Sequence, residues 1–425
     1  MDRIVVSGGG RLCGEVQVSG SKNATLALMA AALLAEGETV LRNVPRLRDV
    51  DAMLQLLAAL GARAGWDESV PGTLRISGDG VDRPEAPYDL VRRMRASFMV
   101  LGPLVARFGR GRVSEPGGCA IGVRPVDQHV KGLEALGAKV ELTHGYVEAT
   151  SERLRGARVA FDVCTVNGTQ NVMMAACLAD GETVLENAAR EPEVIELAAA
   201  LGEMGARIEG AGTSRIEIEG VRRLRGVDHV VSGDRIEAGT LLAAGVATRG
   251  DVRLRGVDAR VMEATIEKLR ETGAEIEVDE SGIRARAFDA PRGVDVVTAP
   301  YPGFATDMQS QLMAVLCVSA GSSVVTETVF ENRFMHVPEL LRLGADIGVT
   351  GRTAHVRGVP RLMGAPVMAT DLRASAGLIV AALAAEGETE VSRVYHIDRG
   401  YERIEEKLRS LGARIRRVRE SEGEA

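Results

Sequence analysis

The cysteine at position 119 lies in a stretch of the chain that is rich in glycine and proline. Residues 114–124 read Ser-Glu-Pro-Gly-Gly-Cys-Ala-Ile-Gly-Val-Arg, with three glycines and one proline around a single thiol. This composition predicts a loop, because glycine and proline interrupt helices and strands. A thiol in such a loop, near the cation of Arg124, can become reactive. A free cysteine is more often a small buried side chain, so both a reactive and a packing role stay open for Cys119.

A lysine at the predicted start of a helix is the second candidate. Lys22 and Asn23 follow the small residues Ser19-Gly20-Ser21, and these come after the strand-like stretch 15–18. A strand, a turn of small residues and a lysine at a helix start can together bind an anion. The glycine spacing of a Walker phosphate loop is absent from this stretch. The alternative is that Lys22 is a solvated lysine at a turn.

Several arginines stand in short motifs that could bind phosphate or carboxylate groups. Arg95 and Arg373 come directly before apolar stretches that predict buried helices. A guanidinium group can bind either kind of anion through two parallel hydrogen bonds. Any one of the 52 basic residues is more often a solvated surface charge. The position at helix starts favours anion binding by Arg95 and Arg373, and the motifs around Arg124, Arg333 and Arg399 extend the set.

A carboxylate at another predicted helix start could move a proton. Asp307 lies in Thr306-Asp307-Met308-Gln309, at the beginning of an apolar stretch. An aspartate there commonly caps the helix or offsets its dipole, and only the geometry of the fold can separate this role from a chemical one. The nearby His129, His336 and His396 do not have the spacing of metal ligands. We therefore predict neither a metal nor another cofactor.

The composition excludes several classes of protein. The 425 residues include 52 basic and 59 acidic side chains, a net charge of −7, and only 3% aromatic residues. A general nucleic-acid surface is disfavoured by this charge and by the few aromatics. No apolar run reaches the ~20 residues that cross a bilayer. Five scattered cysteines without a C-x-x-C pair favour a cytoplasmic protein. We predict small-molecule partners, and no nucleic acid or membrane; the sequence does not indicate an oligomeric state.

A repeated unit organises the chain. Six times, an apolar helix, a turn, a strand and a second helix lead to a Gly-Ala pair, at Gly61, Gly137, Gly205, Gly273, Gly344 and Gly412. The spacings of these glycines are 76, 68, 68, 71 and 68 residues. A glycine at each second-helix end predicts a left-handed cap that turns the chain into a strand. The first helices, such as the stretch 24–35, are apolar nearly all round, which predicts that they are buried.

The order of these units and motifs resembles the enolpyruvyl transferase family. The resemblance implies an α/β protein built from α+β repeats, with two domains that are each an inside-out α/β barrel. Each domain would contain three of six repeated βαβαββ-like units. The first domain would span residues 22–230, including the Cys119 loop, and the second would combine residues 1–21 and 231–425. The active site would lie in the cleft between the domains.

The resemblance also implies an activity. The enolpyruvyl group of phosphoenolpyruvate would be transferred to the 3-hydroxyl of UDP-N-acetylglucosamine, with release of phosphate, in the first committed step of peptidoglycan precursor synthesis. The implied catalytic residues are Cys119, which in the family is also the target of fosfomycin, together with Asp307, Lys22 and Arg399. The implied substrate-binding residues are Lys22, Asn23, Arg95, Arg124, Pro125, Val126, Asp127, Gln128, Thr165, Val166, Asp307, Val329, Arg333, Asp371, Arg373 and Arg399.

Three alternatives stay open at this point. The chain could be a related enolpyruvyl transferase with another acceptor, including the shikimate-pathway enzyme, although Cys119 and residues 124–129 disfavour the latter. It could be a UDP-sugar sensor without catalysis, which the presence of Lys22, Cys119, Asp307 and Arg399 disfavours. It could also be an interaction scaffold. The stretch Thr165-Val166-Asn167 departs from the pattern of many relatives, so UDP binding is where the resemblance is weakest.

Overall fold

The computed structural model describes residues 2–92, 94–115 and 126–419, which form two compact units. Among these residues, the terminal unit contains 2–19 and 233–419, and the central unit contains 20–92, 94–115 and 126–232. Each unit has a separate hydrophobic core. The domain bounds and the cleft that the resemblance implies stay predictions.

The central unit contains three four-stranded sheets with one common arrangement. In each sheet a parallel pair of strands at one edge is followed by two antiparallel strands. A short parallel ribbon joins Ala35–Glu36 to Leu224–Arg225. In spatial order the three sheets are Asp228–Val230, Thr39–Arg42, Leu74–Ser77, Arg63–Trp66; Glu85–Ala86, Arg110–Ser114, Tyr146–Thr150, Lys139–Thr143; and Arg158–Ala160, Glu182–Glu186, Arg215–Glu219, Arg207–Glu209.

The terminal unit repeats this arrangement three more times. The first strand of the chain, Arg3–Ser7, is a central strand, with Ile4 opposite Val391 on one side and Arg417 on the other. The three sheets, in spatial order, are Cys13–Gln17, Asp251–Arg255, Gly282–Arg286, Glu275–Asp279; Val296–Val297, Ser322–Thr326, Thr353–Arg357, Asp346–Thr350; and Pro366–Met368, Glu388–Ser392, Arg3–Ser7, Arg414–Val418. Six sheets with the same strand order, among the described residues, confirm the predicted six-fold repeat and the α/β class.

The α-helices of the described residues fall into two groups that follow the repeat. The first helix of each unit is Lys22–Ala31, Leu101–Phe108, Val166–Ala176, Arg235–Ala247, Gln309–Cys317 or Leu372–Ala384. The second is Arg48–Ala59, Asp127–Ala135, Pro192–Glu203, Glu263–Glu271, Val337–Arg342 or Ile404–Ser410, and one short further helix spans Tyr88–Val91. None of these helices is long and apolar enough to cross a membrane.

The two groups of helices differ in burial because their sequences differ in polarity. The helix Leu372–Ala384 is apolar on all sides and is buried from Arg373 to Leu383, as expected for a helix without a polar face. In the terminal unit the three first helices pack against one another. The second helix Glu263–Glu271 buries Ile266 and Leu269 and exposes Glu267, so it covers the core from the solvent side. The prediction of buried first helices is confirmed.

The glycines that end the second helices adopt the predicted left-handed backbone. All six have φ between 89° and 109°. After the helix Pro192–Glu203, for example, the N–H of Ala206 donates to the carbonyl of Leu201 at 2.9 Å, across Gly205. This bond satisfies a carbonyl that the last turn would otherwise leave open, and it directs the chain into the next strand. Glycine is favoured here because other residues are strained at positive φ.

Candidate active site

In the terminal unit, Asp307 is held between two buried arginines. Its Oδ1 lies 3.0 Å from Nη2 of Arg333, and its Oδ2 lies 3.0 Å from Nε of Arg373. The arginine side chains are only 3% and 4% exposed, whereas that of Asp307 is 28% exposed. Ala305 and Met308, rather than Asp307, occupy the N-cap positions of the 3-10 turn Thr306–Met308 and of the helix that follows. The carboxylate is therefore organised by the arginines and not by helix capping.

Arg373 has hydrogen-bonding capacity beyond its bond to Asp307. Burial is the largest single influence on the pKa of this guanidinium and would lower it, but Asp307, Tyr401 and Asp234 together outweigh burial, so the pKa is raised. The group is therefore a permanent cation. Its Nη1 and Nη2 are buried and have no hydrogen-bond partner among the described residues. Because buried donors are normally satisfied, two donors on one fork indicate a site for an anion with two oxygens.

Other unsatisfied polar atoms surround this ion-pair cluster. Asp371 uses Oδ1 to accept hydrogen bonds from the N–H groups of Arg373 and Ala374, at 2.9 and 3.1 Å, and so caps the helix Leu372–Ala384. Its Oδ2 is buried and has no partner within the described part of the chain, and the same holds for atoms of His336, Thr370 and His396. Such atoms are few in a native protein, so their accumulation around Asp371 indicates a polar site for a ligand.

The two histidines of this group are uncharged at neutral pH. Burial lowers the pKa of His336 to about 4, with Asp371 opposing and Arg333 reinforcing the effect. Burial also lowers the pKa of His396, and the charge of Arg399 lowers it further. Arg399 ends the 3-10 helix Val394–Arg399, which brings it close to His396. The positive charge near Asp307 is thus supplied by arginines, while the imidazoles contribute neutral polar atoms.

A buried polar network beneath Arg373 was not predicted from the sequence. The ring of Tyr401 lies 5.5 Å from the guanidinium carbon of Arg373, a distance at which a cation is attracted to an aromatic face. The Tyr401 hydroxyl contacts Thr240 Oγ1 at 3.0 Å and accepts a hydrogen bond from Gln311 Nε2 at 3.1 Å. These residues are far apart in the sequence and no motif connects them. They support Arg373 from the side of the core.

In the central unit, Lys22 is the first residue of the helix Lys22–Ala31, as predicted. Ser21 caps this helix by accepting a hydrogen bond from the N–H of Ala24 at 3.3 Å. The Nζ atom of Lys22 lies 3.6 Å from Oδ2 of the buried Asp49, a partner that sequence reasoning missed. No acidic residue lies in the first turn of the helix, so the charge of Lys22 adds to the positive potential of the helix N-terminus. Asn23 is the next residue of the same turn. This arrangement suits an anion.

A second group in the central unit brings together predicted residues from two segments. Asp127 begins the helix Asp127–Ala135, with Val126 as its N-cap. The amide of Gln128 donates to Asp127 at 2.9 Å and to Asp162 at 3.2 Å, and its oxygen accepts the N–H of Asp162 at 2.8 Å. Asp162 precedes Thr165, which caps the helix that begins at Val166. Residues 126–128 and 165–166 therefore lie close together.

Arg95 belongs to the same neighbourhood. Burial lowers the pKa of His129 to about 4; the charge of Asp127 opposes this shift and that of Arg95 adds to it. His129 Nδ1 lies 3.0 Å from Nδ2 of Asn171. Arg95 opens the 3-10 helix Arg95–Val100 that leads into Leu101–Phe108. The predicted Cys119, Arg124 and Pro125 lie outside the described residues. Within residues 2–92, 94–115 and 126–419, no group of three or more His, Cys, Asp or Glu is placed to hold a metal ion.

Comparison with known proteins identifies the family. Residues 6–408 match the family described as EPSP synthase (3-phosphoshikimate 1-carboxyvinyltransferase). The chain belongs to the EPSP synthase family. The resemblance to enolpyruvyl transferases that the sequence predicted is thereby confirmed.

Relatives within the EPSP synthase family are similar over almost their whole length. A protein from Anaeromyxobacter sp. (strain Fw109-5), named UDP-N-acetylglucosamine 1-carboxyvinyltransferase, is 62% identical over 419 residues, 98% of this chain and 99% of its own. A protein of the same name from Myxococcus xanthus (strain DK1622) is 61% identical over 417 residues, again 98% and 99%.

Solved structures of enolpyruvyl transferases have the same fold. The enolpyruvyl transferase NikO from Streptomyces tendae has a TM-score of 0.88 at 28% identity, covering 98% of this chain and 99% of its own. EPSP synthase from Acinetobacter baumannii has a TM-score of 0.77 at 18% identity, covering 99% and 100%. At 18% identity the second likeness shows the fold alone.

Proposed function

We propose that this member of the EPSP synthase family transfers the enolpyruvyl group of phosphoenolpyruvate to the 3-hydroxyl of UDP-N-acetylglucosamine and releases phosphate. The structural observation that carries the proposal is the Asp307 carboxylate between the buried Arg333 and Arg373. It combines a proton acceptor with cations for an anionic substrate. The names of the relatives at 61–62% identity support this acceptor, and no observation favours shikimate 3-phosphate, another acceptor, a sensor or a scaffold.

The proposed reaction begins with protonation and addition. A proton passes from the Cys119 thiol to C3 of phosphoenolpyruvate, which leaves positive charge at C2. The 3-hydroxyl oxygen of the sugar then bonds to C2, and its proton passes to Asp307. The carboxylate form of Asp307 is the one that can accept a proton, and its ion pairs with Arg333 and Arg373 hold it in place. A C3 proton of the tetrahedral intermediate then returns to the Cys119 thiolate as the C2–O bond to phosphate breaks, which releases phosphate and restores the thiol and the C2–C3 double bond.

The arginines of the terminal unit would hold the anionic substrate. Arg373 has two unsatisfied donors, so we assign the carboxylate of phosphoenolpyruvate to Arg373 and Arg333. Asp371 fixes the start of the Arg373 helix through its capping bonds. We assign the phosphate to Lys22, Arg124 and Arg399. Positioning and electrostatic stabilisation by fixed cations are large contributions to catalysis of this kind.

The remaining predicted residues would bind the UDP-sugar. We assign this role to Asn23, Arg95 and Val329, together with the neighbouring stretches 124–128 and 165–166. The hydrogen bonds between Gln128 and Asp162 support a common role for these two stretches. We also propose a cytoplasmic location, which the free thiols of Cys13, Cys164, Cys177 and Cys317 support.

Phosphate release by the purified protein tests the proposed function. Phosphoenolpyruvate is supplied alone, with UDP-N-acetylglucosamine, or with shikimate 3-phosphate, and inorganic phosphate is measured over time. We expect release only with the UDP-sugar, together with a product that is heavier than the UDP-sugar by one enolpyruvyl group. Release with shikimate 3-phosphate instead would overturn the acceptor, and release with neither would overturn the transferase activity.

A further inference from the structure

Glu327 is a buried carboxylate next to the candidate active site. It follows the strand Ser322–Thr326 directly and is only 1% exposed. Burial of a carboxylate is costly unless hydrogen bonds replace the water that it loses. Among the described residues, no lysine or arginine lies within ion-pair distance of Glu327, so this compensation comes from neutral donors.

Four neutral groups donate hydrogen bonds to the Glu327 carboxylate. Its Oε1 accepts from the Thr298 hydroxyl at 2.8 Å and from the N–H groups of Val329 and Phe330 at 2.7 and 3.1 Å. Its Oε2 accepts from the Thr306 hydroxyl at 2.9 Å. An ionised carboxylate is an acceptor only, with about four lone-pair sites. These four hydrogen bonds therefore hold both oxygens of the Glu327 side chain in place.

These bonds connect the two segments that carry the candidate catalytic groups. Thr306 is the neighbour of Asp307, and Val329 and Phe330 begin the turn that leads to Arg333. The same two segments meet again where Asp307 binds Arg333 at 3.0 Å. A further pair of bonds joins the N–H and the hydroxyl of Thr328 to Thr298, at 3.0 and 2.5 Å. The two segments are thus joined at two places, by the hydrogen bonds of Glu327 and by the Asp307–Arg333 ion pair.

We propose that Glu327 is a positioning residue that sets Asp307 and Val329 relative to each other. This inference rests on the proposed function, in which Asp307 accepts a proton from the sugar hydroxyl and Val329 contacts the sugar. A misplacement of a reacting group by about 1 Å can lower the rate on the order of 100-fold. The position of Asp307 is constrained from one side by the arginines and from the other by Thr306, which Glu327 holds.

The proposal predicts different effects on the two substrates. Of the described cations assigned to phosphoenolpyruvate, none is bonded to Glu327, and Arg373, whose two unsatisfied donors would bind the carboxylate, lies on the separate helix Leu372–Ala384. The sugar hydroxyl would be held against Asp307 and Val329. Glu327 accepts hydrogen bonds from the Thr306 hydroxyl, next to Asp307, and from the N–H of Val329. A substitution that weakens the hydrogen bonds of Glu327 should therefore change kcat and the KM for the UDP-sugar, and it should leave the KM for phosphoenolpyruvate unchanged. A residue that only stabilised the fold would lower the amount of folded protein without this difference.

The test compares Glu327→Gln with wild type in the phosphate-release assay, with each substrate varied in turn. We expect kcat to fall roughly 10-fold to 100-fold and the KM for UDP-N-acetylglucosamine to rise, at an unchanged KM for phosphoenolpyruvate. The matched control is Asp295→Asn, the same loss of charge on an exposed carboxylate of the same sheet region, which accepts the N–H of Val324 at 2.7 Å. It should leave kcat and both KM values unchanged.

A second pair of variants keeps the test independent of the folding of Glu327→Gln. Thr306→Val removes only the hydroxyl that joins Glu327 to the Asp307 segment and should lower kcat on the order of 10-fold, whereas Thr306→Ser should restore it. Wild-type kinetics in Glu327→Gln and in Thr306→Val, or an equal rise of both KM values, would overturn the positioning role. An inactive wild type would overturn the proposed function together with it, which separates the two failures.

Discussion

The replacement Asp307→Asn tests two roles of Asp307 separately: its contribution to the free energy of unfolding and its proposed role as a general base. Asparagine has nearly the same shape, but it keeps only one acceptor oxygen and places an amide N–H₂ where the other oxygen stood. In the native structure the two oxygens bind Arg333 and Arg373, each at 3.0 Å. In the variant one of these arginines faces a donor, and both lose the negative charge of Asp307.

The structure sets the expected size of the effect on stability. Both arginine side chains are almost fully buried, and removal of one partner of a buried ion pair costs about 3–5 kcal/mol. Because asparagine retains one acceptor, we expect a loss of ~3 kcal/mol in the free energy of unfolding. For a unit of roughly 200 residues, this corresponds to a fall in Tm of about 6–12 °C.

The expected effect on catalysis is larger and is measured separately. A positioned general base contributes about 10²–10⁴-fold to the rate, and asparagine cannot accept the proton. Phosphate release in the presence of UDP-N-acetylglucosamine, measured well below the Tm of the variant, should therefore fall by about this factor.

A matched control removes a carboxylate from an exposed ion pair of the same unit. Asp346 Oδ2 lies 3.7 Å from Nη1 of Arg357, and both side chains are more than half exposed. Exposed pairs contribute about 0–1 kcal/mol, so Asp346→Asn should keep Tm and kcat close to the wild-type values. A Tm of Asp307→Asn equal to that of Asp346→Asn would refute the argument from buried arginines. A kcat of Asp307→Asn within a few-fold of wild type would refute the role of general base.

Three further predictions concern pH, backbone and the thiol. Burial lowers the pKa of His129 and His336 to about 4, below ~6.5 in the unfolded chain; between these values the unfolded chain binds more protons. The free energy of unfolding from urea titrations should therefore fall as the pH drops through this window, by ~3 kcal/mol per histidine, and His129→Gln with His336→Gln should flatten the curve. Gly205 has φ 109° and Gly202 lies in the preceding helix, and at both positions a methyl group would have open space around it. Thermal unfolding should thus show that Gly205→Ala destabilises by ~1–2 kcal/mol and that Gly202→Ala stabilises by about 0.5–1 kcal/mol; equal effects would refute the backbone argument. The resemblance predicts one fosfomycin adduct on wild type by intact mass and none on Cys119→Asp, which should still release phosphate; an adduct on the variant would contradict the assignment.

Much of the architecture could be predicted because it depends on near neighbours along the chain. The six Gly-Ala pairs mark the ends of the second helices, since a glycine at positive φ terminates a helix locally, and all six glycines have that conformation. The burial of the first helices likewise follows from their composition, because a helix that is apolar on every side has no face for solvent. The helix starts at Lys22 and after Asp371 were also predictable from local sequence.

The sequence by itself determined the repeat, the class of fold, the family and a set of candidate residues. Only the tertiary structure decided that Asp307 pairs with both Arg333 and Arg373 and that Lys22 faces Asp49. The same is true of the contact of Tyr401 with Arg373 and of the hydrogen bond from Thr306 to Glu327. Asp307 is 26 positions from Arg333 and 66 from Arg373, and Arg373 is 28 positions from Tyr401. Side chains so far apart in sequence come into contact only when the sheets and helices pack. No local sequence pattern predicts which of the many arginines and glutamates will be buried at the site. The chemical type of each residue can be read from the sequence, whereas the distances between these residues depend on how the whole chain folds.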